Sequence, residues 1–131
     1  MLGYCTNVHR GDRFRSVIEN IASYSKIIQG LVSEPIGLGL WLSDRASREV
    51  DLEKLRDVLE ESETTVFTMN GFPYSNFHKE IVHHDVYQPN WTEHRRLDYT
   101  LRLAQILSEL IVEGSDGGIS TLPLGWNCDD F

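Results

Sequence analysis

Apolar and polar residues change period along this chain, and each change predicts an element. Leu2, Tyr4, Thr6 and Val8 fall on one face of an extended stretch, with Gly3, Cys5, Asn7 and His9 on the other. From Asp12, a predicted N-cap, Phe14, Val17, Ile18, Ile21, Tyr24, Ile28 and Leu31 recur every three or four residues. That spacing predicts a helix, stopped by Pro35. Ile36 to Ser43 is almost wholly apolar, as in a strand covered on both faces. Gly37, Gly39 and Trp41 share one of its faces, against Leu38, Leu40 and Leu42. Two glycines on one face point to a crowded interior or a close backbone approach.

Ser43-Asp44 opens a short helical turn, and Asp51 caps a longer helix with Leu52, Leu55, Val58 and Leu59 as its buried stripe. The next strand, from Thr64 to Asn70, sets Val66, Thr68 and Asn70 on one face and Phe67 and Met69 on the other. It stops at Asn70-Gly71 and Pro73, all turn-forming residues. Residues 74–91 have no clear periodicity and are rich in aromatics and histidine; connections of that length are usually lids, binding loops or disorder. Thr92 reads as the N-cap of a last helix, whose face is Leu97, Leu101, Ala104, Leu107 and Ile111, widened by Leu103, Ile106 and Leu110. Gly114 ends it in the manner of a C′ glycine, and Ile119 to Leu124 forms a fourth strand.

Strands alternating with helices predict an α/β protein with a parallel sheet. Two architectures fit: a small open sheet, or the N-terminal half of a TIM (β/α)8 barrel with four parallel strands and three intervening helical segments. A whole barrel takes about 250 residues, and 131 residues stop near its midpoint. On this reading residues 1–125 are a partial barrel and 126–131 a tail without pattern.

Composition narrows the function. The chain is 40% hydrophobic and 24% charged, the balance of a globular protein, and its net charge of −8 argues against nucleic acid or an anionic membrane as partner. No window approaches the length of a membrane span, and no basic leader precedes the first strand. Cys5 and Cys128 make neither a disulfide framework nor a metal-type spacing, so a cytoplasmic location is expected.

Ligands of parallel sheets bind at strand C-termini. There the sequence puts Asn7, His9, Trp41, Asn70 and Thr121, a polar rim with an aromatic floor that suits a hydroxylated small molecule. Tyr74, Phe77, Tyr87 and Trp91 could clamp a planar or sugar ligand, or simply pin the long loop. Trp41 could equally be packing, and Asn70 a turn former. His78, His83 and His84 invite a metal reading, yet adjacent His83 and His84 point apart in an extended segment and no carboxylate pattern accompanies them. No metal ligands are therefore assigned. Gly37-Leu38-Gly39 lies inside a strand and Gly114 to Gly118 precedes one, so neither is a phosphate-cradling loop. No nucleophile triad and no carboxylate pair at strand ends stands out.

Several segments also resemble a known family. Gly3-Tyr4-Cys5-Thr6-Asn7-Val8-His9, Thr68-Met69-Asn70-Gly71-Phe72-Pro73-Tyr74, Tyr87-Gln88-Pro89-Asn90-Trp91, Arg96 to Ala104 and Ile119 to Gly125 resemble the N-terminal part of the metabolite traffic protein E family of the Ebo gene cluster. Arg10 replaces a proline expected after the histidine, and the likeness stops after Gly125. The resemblance implies a xylose-isomerase-type barrel, akin to sugar phosphate isomerases and epimerases, and a role in moving a secondary-metabolite precursor. It implies that Asn7, His9, Asn70 and Tyr74 contribute to a ligand site, with His78 and the loop to Trp91 as a lid. A divalent metal is expected in a complete barrel, whose ligands come mostly from later strands, and no cofactor in this part alone. Two rival readings remain: a metal-dependent isomerase in which His9 or His78 moves a proton, and a non-catalytic module binding a small molecule or a partner. The expected partners are a small-molecule metabolite and either the missing C-terminal half or a second copy, because the half-barrel is expected to expose an apolar inner face and two open edges.

Overall fold

The computed structural model describes residues 2–75 and 84–124. Four strands, β1 (Leu2–Cys5), β2 (Ile36–Trp41), β3 (Thr64–Asn70) and β4 (Gly118–Ser120), form one sheet in the order β1-β2-β3-β4. Every neighbouring pair is parallel. The fold class is α/β, as the alternating pattern predicts.

The β1–β2 crossover is α1 (Phe14–Asn20), a π-helical stretch at Ile21–Ser25, and α2 (Lys26–Leu31). Asp12 does not cap it. The N-cap is Arg13, without a side-chain cap, and the Phe14 N–H donates instead to the Glu49 carboxylate (3.2 Å). After β2, the expected short helical turn is α3 (Asp44–Arg48), which Ser43 caps by accepting from the Ala46 N–H; Asp51 caps α4 (Leu52–Glu61) by accepting from the Lys54 N–H, as expected from sequence. α4 buries Leu55, Val58 and Leu59.

The last helix, α5 (His94–Leu110), differs from its predicted register. Leu97 and Leu101 are exposed; Arg96, Tyr99, Leu103, Ile106 and Leu107 are buried. The stripe is rotated because Arg96 and Tyr99 find carbonyl partners for their polar tips and can therefore go inward. Thr92 does not cap α5 either. Its N–H and hydroxyl both turn to Asn90 Oδ1 (2.9 and 2.6 Å), and Glu93 is the N-cap, without a side-chain cap. Gly114 does adopt φ +80°, but within the Val112–Ser115 turn rather than directly at the helix end.

Three strands are shorter than predicted, β2 ending at Trp41 rather than Ser43. The chain leaves β1 after Cys5 for a 3-10 turn at Thr6–Val8, and β4 holds only three residues. β3 carries a further correction. Leu38 pairs with Val66 but Gly39 pairs with Thr68, so Phe67 is an inserted bulge residue. The bulge resets the alternation: Met69 joins Val66 in the helix-covered core, and Phe67 leaves it.

The helices cover one face of the sheet, where Ile36, Leu38, Leu40, Val66 and Met69 meet them. The opposite face runs through Gly3, Cys5, Gly39, Thr68 and Gly118. Cys5, Thr65, Gly118 and Ser120 are exposed there. Small and polar residues, not apolar ones, therefore dominate the uncovered face; among the described residues its large apolar groups are the ring of Phe67, close over Gly3, and the buried Trp41 beside Asn70.

Candidate functional site

Asn70 ends β3 with its side chain on the uncovered face. Its Oδ1 accepts from the Phe72 N–H (3.2 Å) and the Ser120 hydroxyl (3.1 Å). A backbone N–H can only meet an oxygen, which fixes the amide orientation and leaves the Nδ2 hydrogens without a partner among the described residues. Gly71 follows for a spatial reason. A Cβ there would lie 2.8 Å from Ile119 Cγ2 and 2.9 Å from the Ser120 carbonyl oxygen, and its N–H donates to that same carbonyl (2.8 Å). The sequence signal for a turn is thus also the seam between the β3 exit and β4.

Trp41, the aromatic floor of the predicted rim, is 2% exposed. Its indole N–H donates to the Pro73 carbonyl (2.9 Å) and its backbone N–H to Thr6 Oγ1 (2.9 Å), so it joins the β1, β2 and β3 exits. Tyr74 is half-buried, with its ring edge-on to Tyr99 at 5.1 Å, and its carbonyl accepts from the Asp44 N–H (2.7 Å). Burial, and then the nearby Asp44 carboxylate, raise the Tyr74 phenol above its ordinary value. Burial alone would raise the Asp44 carboxyl as well, but hydrogen bonds from Arg48 and Arg102 outweigh it and hold the group below its usual value. Trp91 is half-buried and donates from its indole to the Leu122 carbonyl (3.2 Å), tying the end of the long loop to the β4 exit. Phe72 and Tyr87 meet edge-to-face at 5.4 Å.

Two residues that sequence reading assigned to no site hold this rim together. Arg96 is 0% exposed. Its Nε donates to the Pro89 carbonyl (2.8 Å) and one terminal nitrogen to the carbonyls of Gly71 (2.9 Å) and Phe72 (3.3 Å). Its guanidinium carbon lies 5.6 Å from the ring centres of both Tyr74 and Tyr99. Burial lowers its pKa from the usual arginine value. Tyr99 donates its hydroxyl to the carbonyls of Leu42 (2.6 Å) and Pro73 (3.2 Å), and burial raises its phenol far above the ordinary range. The signal was present: reading the stripe back from Leu107 and Leu103 at helical spacing arrives at Tyr99 and Arg96.

His9 stands apart from Asn70 and Tyr74. Its ring stacks on Tyr24 of the π-helical stretch (centroids 3.9 Å apart, 11° between planes), and its Nε2 is hydrogen-bonded to the Tyr4 hydroxyl. Tyr4 packs toward the helix-covered core, so His9 leans to the helical layer. Burial, and then Tyr24, raise the Tyr4 phenol above its ordinary value. His9 and Trp41 do border one narrow crevice, with Thr6, Gly11, Val17 and Asn20. Asn7 is half-buried in the 3-10 turn and Thr121 is exposed. His78, Phe77 and His83 lie outside the described residues.

Among the described residues no group of three His, Cys, Asp or Glu side chains is arranged to hold a metal ion, and no helix is long and apolar enough to cross a membrane. What the strand exits offer is a hydrogen-bonding rim: an amide donor pair at Asn70, the Ser120 hydroxyl beside it, and half-exposed aromatic rings. No protein-family description, no curated protein and no solved structure matches the chain.

Proposed function

We propose that the chain is the N-terminal half of a (β/α)8 barrel of the metabolite traffic and sugar-isomerase-like kind, acting in the cytoplasm, and that it binds a small hydroxylated metabolite at its strand exits. The observation that carries the binding reading is Asn70. Its acceptor is occupied by Phe72 and Ser120 while both Nδ2 hydrogens remain without a partner among the described residues, beside the Ser120 hydroxyl. A fixed, half-exposed amide of this kind suits a sugar or polyol oxygen. The barrel reading draws support from the sequential parallel order of four strands, with helices, among the described residues, on one face. The uncovered face and the free edges of β1 and β4 suit a partner that continues the sheet, either further β/α units or a second copy.

The test is a fluorescence titration of the full chain, read from its tryptophans, with a panel of neutral pentoses, hexoses and polyols. A saturable change is expected for at least one. Asn70→Asp keeps the oxygen that Phe72 and Ser120 need and replaces only the donors, so affinity should fall roughly tenfold while the fold persists. No saturable sugar, or equal binding by Asn70→Asp, sinks the rim reading. Turnover that depends on an added divalent cation would move the conclusion to the isomerase.

A further inference from the structure

Charge at the strand exits is uneven in a way that the sugar-binding reading leaves unused. Arg10, Arg13, Arg45, Arg48, Arg95 and Arg96 all follow strand C-termini, in a chain with only 12 basic residues. The exposed ones are largely neutralised: Arg13 by Glu49, Arg45 by Asp12 and Glu49, Arg48 by Asp44 and Arg95 by Glu93. Arg96, the buried one, makes no close ion pair among the described residues, and the Glu93 carboxylate, held by Arg95, acts on it only through space. Carbonyls of Pro89, Gly71 and Phe72 satisfy its Nε and Nη1, and Nη2 is buried without a hydrogen-bond partner among the described residues. It also sits in the first turn of a 17-residue helix whose N-cap residue makes no side-chain cap, where backbone N–H groups and the helix dipole favour negative charge.

An uncompensated buried guanidinium nitrogen is costly, and native proteins leave such a group only where something else completes it. We propose that Arg96 Nη2 anchors an oxyanion, a phosphate or carboxylate group, carried by the metabolite that binds at the β3 exit. The inference rests on the rim reading and adds the ligand's charge to it. Carbonyl clamps on Nε and Nη1 fix the guanidinium plane, so Nη2 is held rather than free to swing, the preorganised state that makes a charge-assisted bond worth most. Tyr74 and Tyr99 flank the cation with their rings and bring no anion of their own. Because Arg96 is covered, the oxyanion reaches it only when the half-exposed rim opens. Asn70, on the neighbouring strand end, would meet the ligand's hydroxyls.

The full 15N-labelled chain is titrated with inorganic phosphate and, separately, with acetate, against sodium chloride at matched ionic strength. The signal followed is the Arg96 Nε–Hε cross-peak, identified by its loss in Arg96→Lys. A saturable shift with phosphate, acetate or both, absent with chloride, is expected, and the arm that saturates names the oxyanion. Arg96→Lys, which keeps the charge but loses the fork, should weaken the saturable backbone shifts of Phe72 and Asn70 by about tenfold. Arg95→Gln, an exposed and already paired neighbour, should leave them unchanged. No saturable shift in the unmodified chain overturns the proposal, as does equal weakening by Arg95→Gln. If Arg96→Lys fails to fold, the cross-peak of the unmodified chain still decides. Neutral sugars that bind while both oxyanions fail would sink this inference and leave the rim reading standing.

Discussion

Tyr99 delivers a hydroxyl to the point where the carbonyls of Leu42 and Pro73 converge, from a helix face that also buries Arg96, Leu103, Ile106 and Leu107. Removing only that oxygen takes a donor from the Leu42 carbonyl in a dry site, while the Pro73 carbonyl keeps the Trp41 indole N–H. Tyr99→Phe should therefore cost about 1–2 kcal/mol in urea unfolding, with the slope of the transition unchanged; no loss would mean that the Leu42 carbonyl finds another partner. Asp44 makes a pH argument of the same kind. Arg48 and Arg102 hold its folded carboxyl below the ordinary value of 3.8, so its contribution to stability is complete above that pH and is lost as pH falls through the folded value. Asp44→Asn should lower stability at neutral pH and flatten the acid limb of the stability profile. A mutant profile parallel to the original down to pH 2 would show that the ion cluster contributes nothing to acid unfolding.

Glycines decide how the elements approach one another. At Gly71 the obstacle to a side chain is partly backbone, the Ser120 carbonyl at 2.9 Å, which cannot turn aside without pulling β4 from β3. Gly71→Ala should destabilise by about 2–3 kcal/mol, measured by chemical denaturation, and hydrogen exchange should locate the loss at the β3–β4 seam. At Gly39 the obstacle is the Cys5 sulfur at 3.0 Å. The cost of Gly39→Ala should therefore shrink when Cys5→Ala is added, with a coupling of about 1 kcal/mol in the double-mutant cycle; strict additivity would refute the close approach. The crowding suggested by two glycines on one face of β2 was legible in the sequence because a strand tolerates such glycines only for a reason of this kind. The helical turn opening at Ser43-Asp44 and the cap at Asp51 were legible too, being local. The bulge at Phe67 was not, since nothing in Thr64 to Asn70 marks which residue drops out of the ladder. The α5 register was misread because Leu97 and Leu101 look more apolar than Arg96 and Tyr99, and only the distant carbonyls of Gly71, Pro73 and Leu42 make the polar pair the buried one. Asn70 could be singled out as a strand-exit amide, whereas the role of its neighbour Ser120 depends on a β4 partner 50 residues away.

At the scale of the whole molecule, the sheet is unlike a free-standing parallel sheet, which carries helices on both faces. Here the uncovered face is built from Gly3, Cys5, Gly39, Thr68 and Gly118, too small to fill space alone and too polar to drive indiscriminate aggregation. Such a surface suits a second layer of strands that brings its own bulk, and Cys5 reports directly on whether one arrives. Its thiol is exposed among the described residues and free. In a Cys128→Ser background a thiol reagent should label Cys5 rapidly when the protein is dilute. If a second copy closes the face, labelling should slow as concentration rises, by about tenfold between states in which association is absent and nearly complete. A longer chain that continues the sheet would instead protect Cys5 at every concentration. Rapid labelling throughout, with a monomer in sedimentation, would leave the sheet open on that side and remove the case for a half-barrel; the strand-exit rim would then have to bind its ligand without a facing wall.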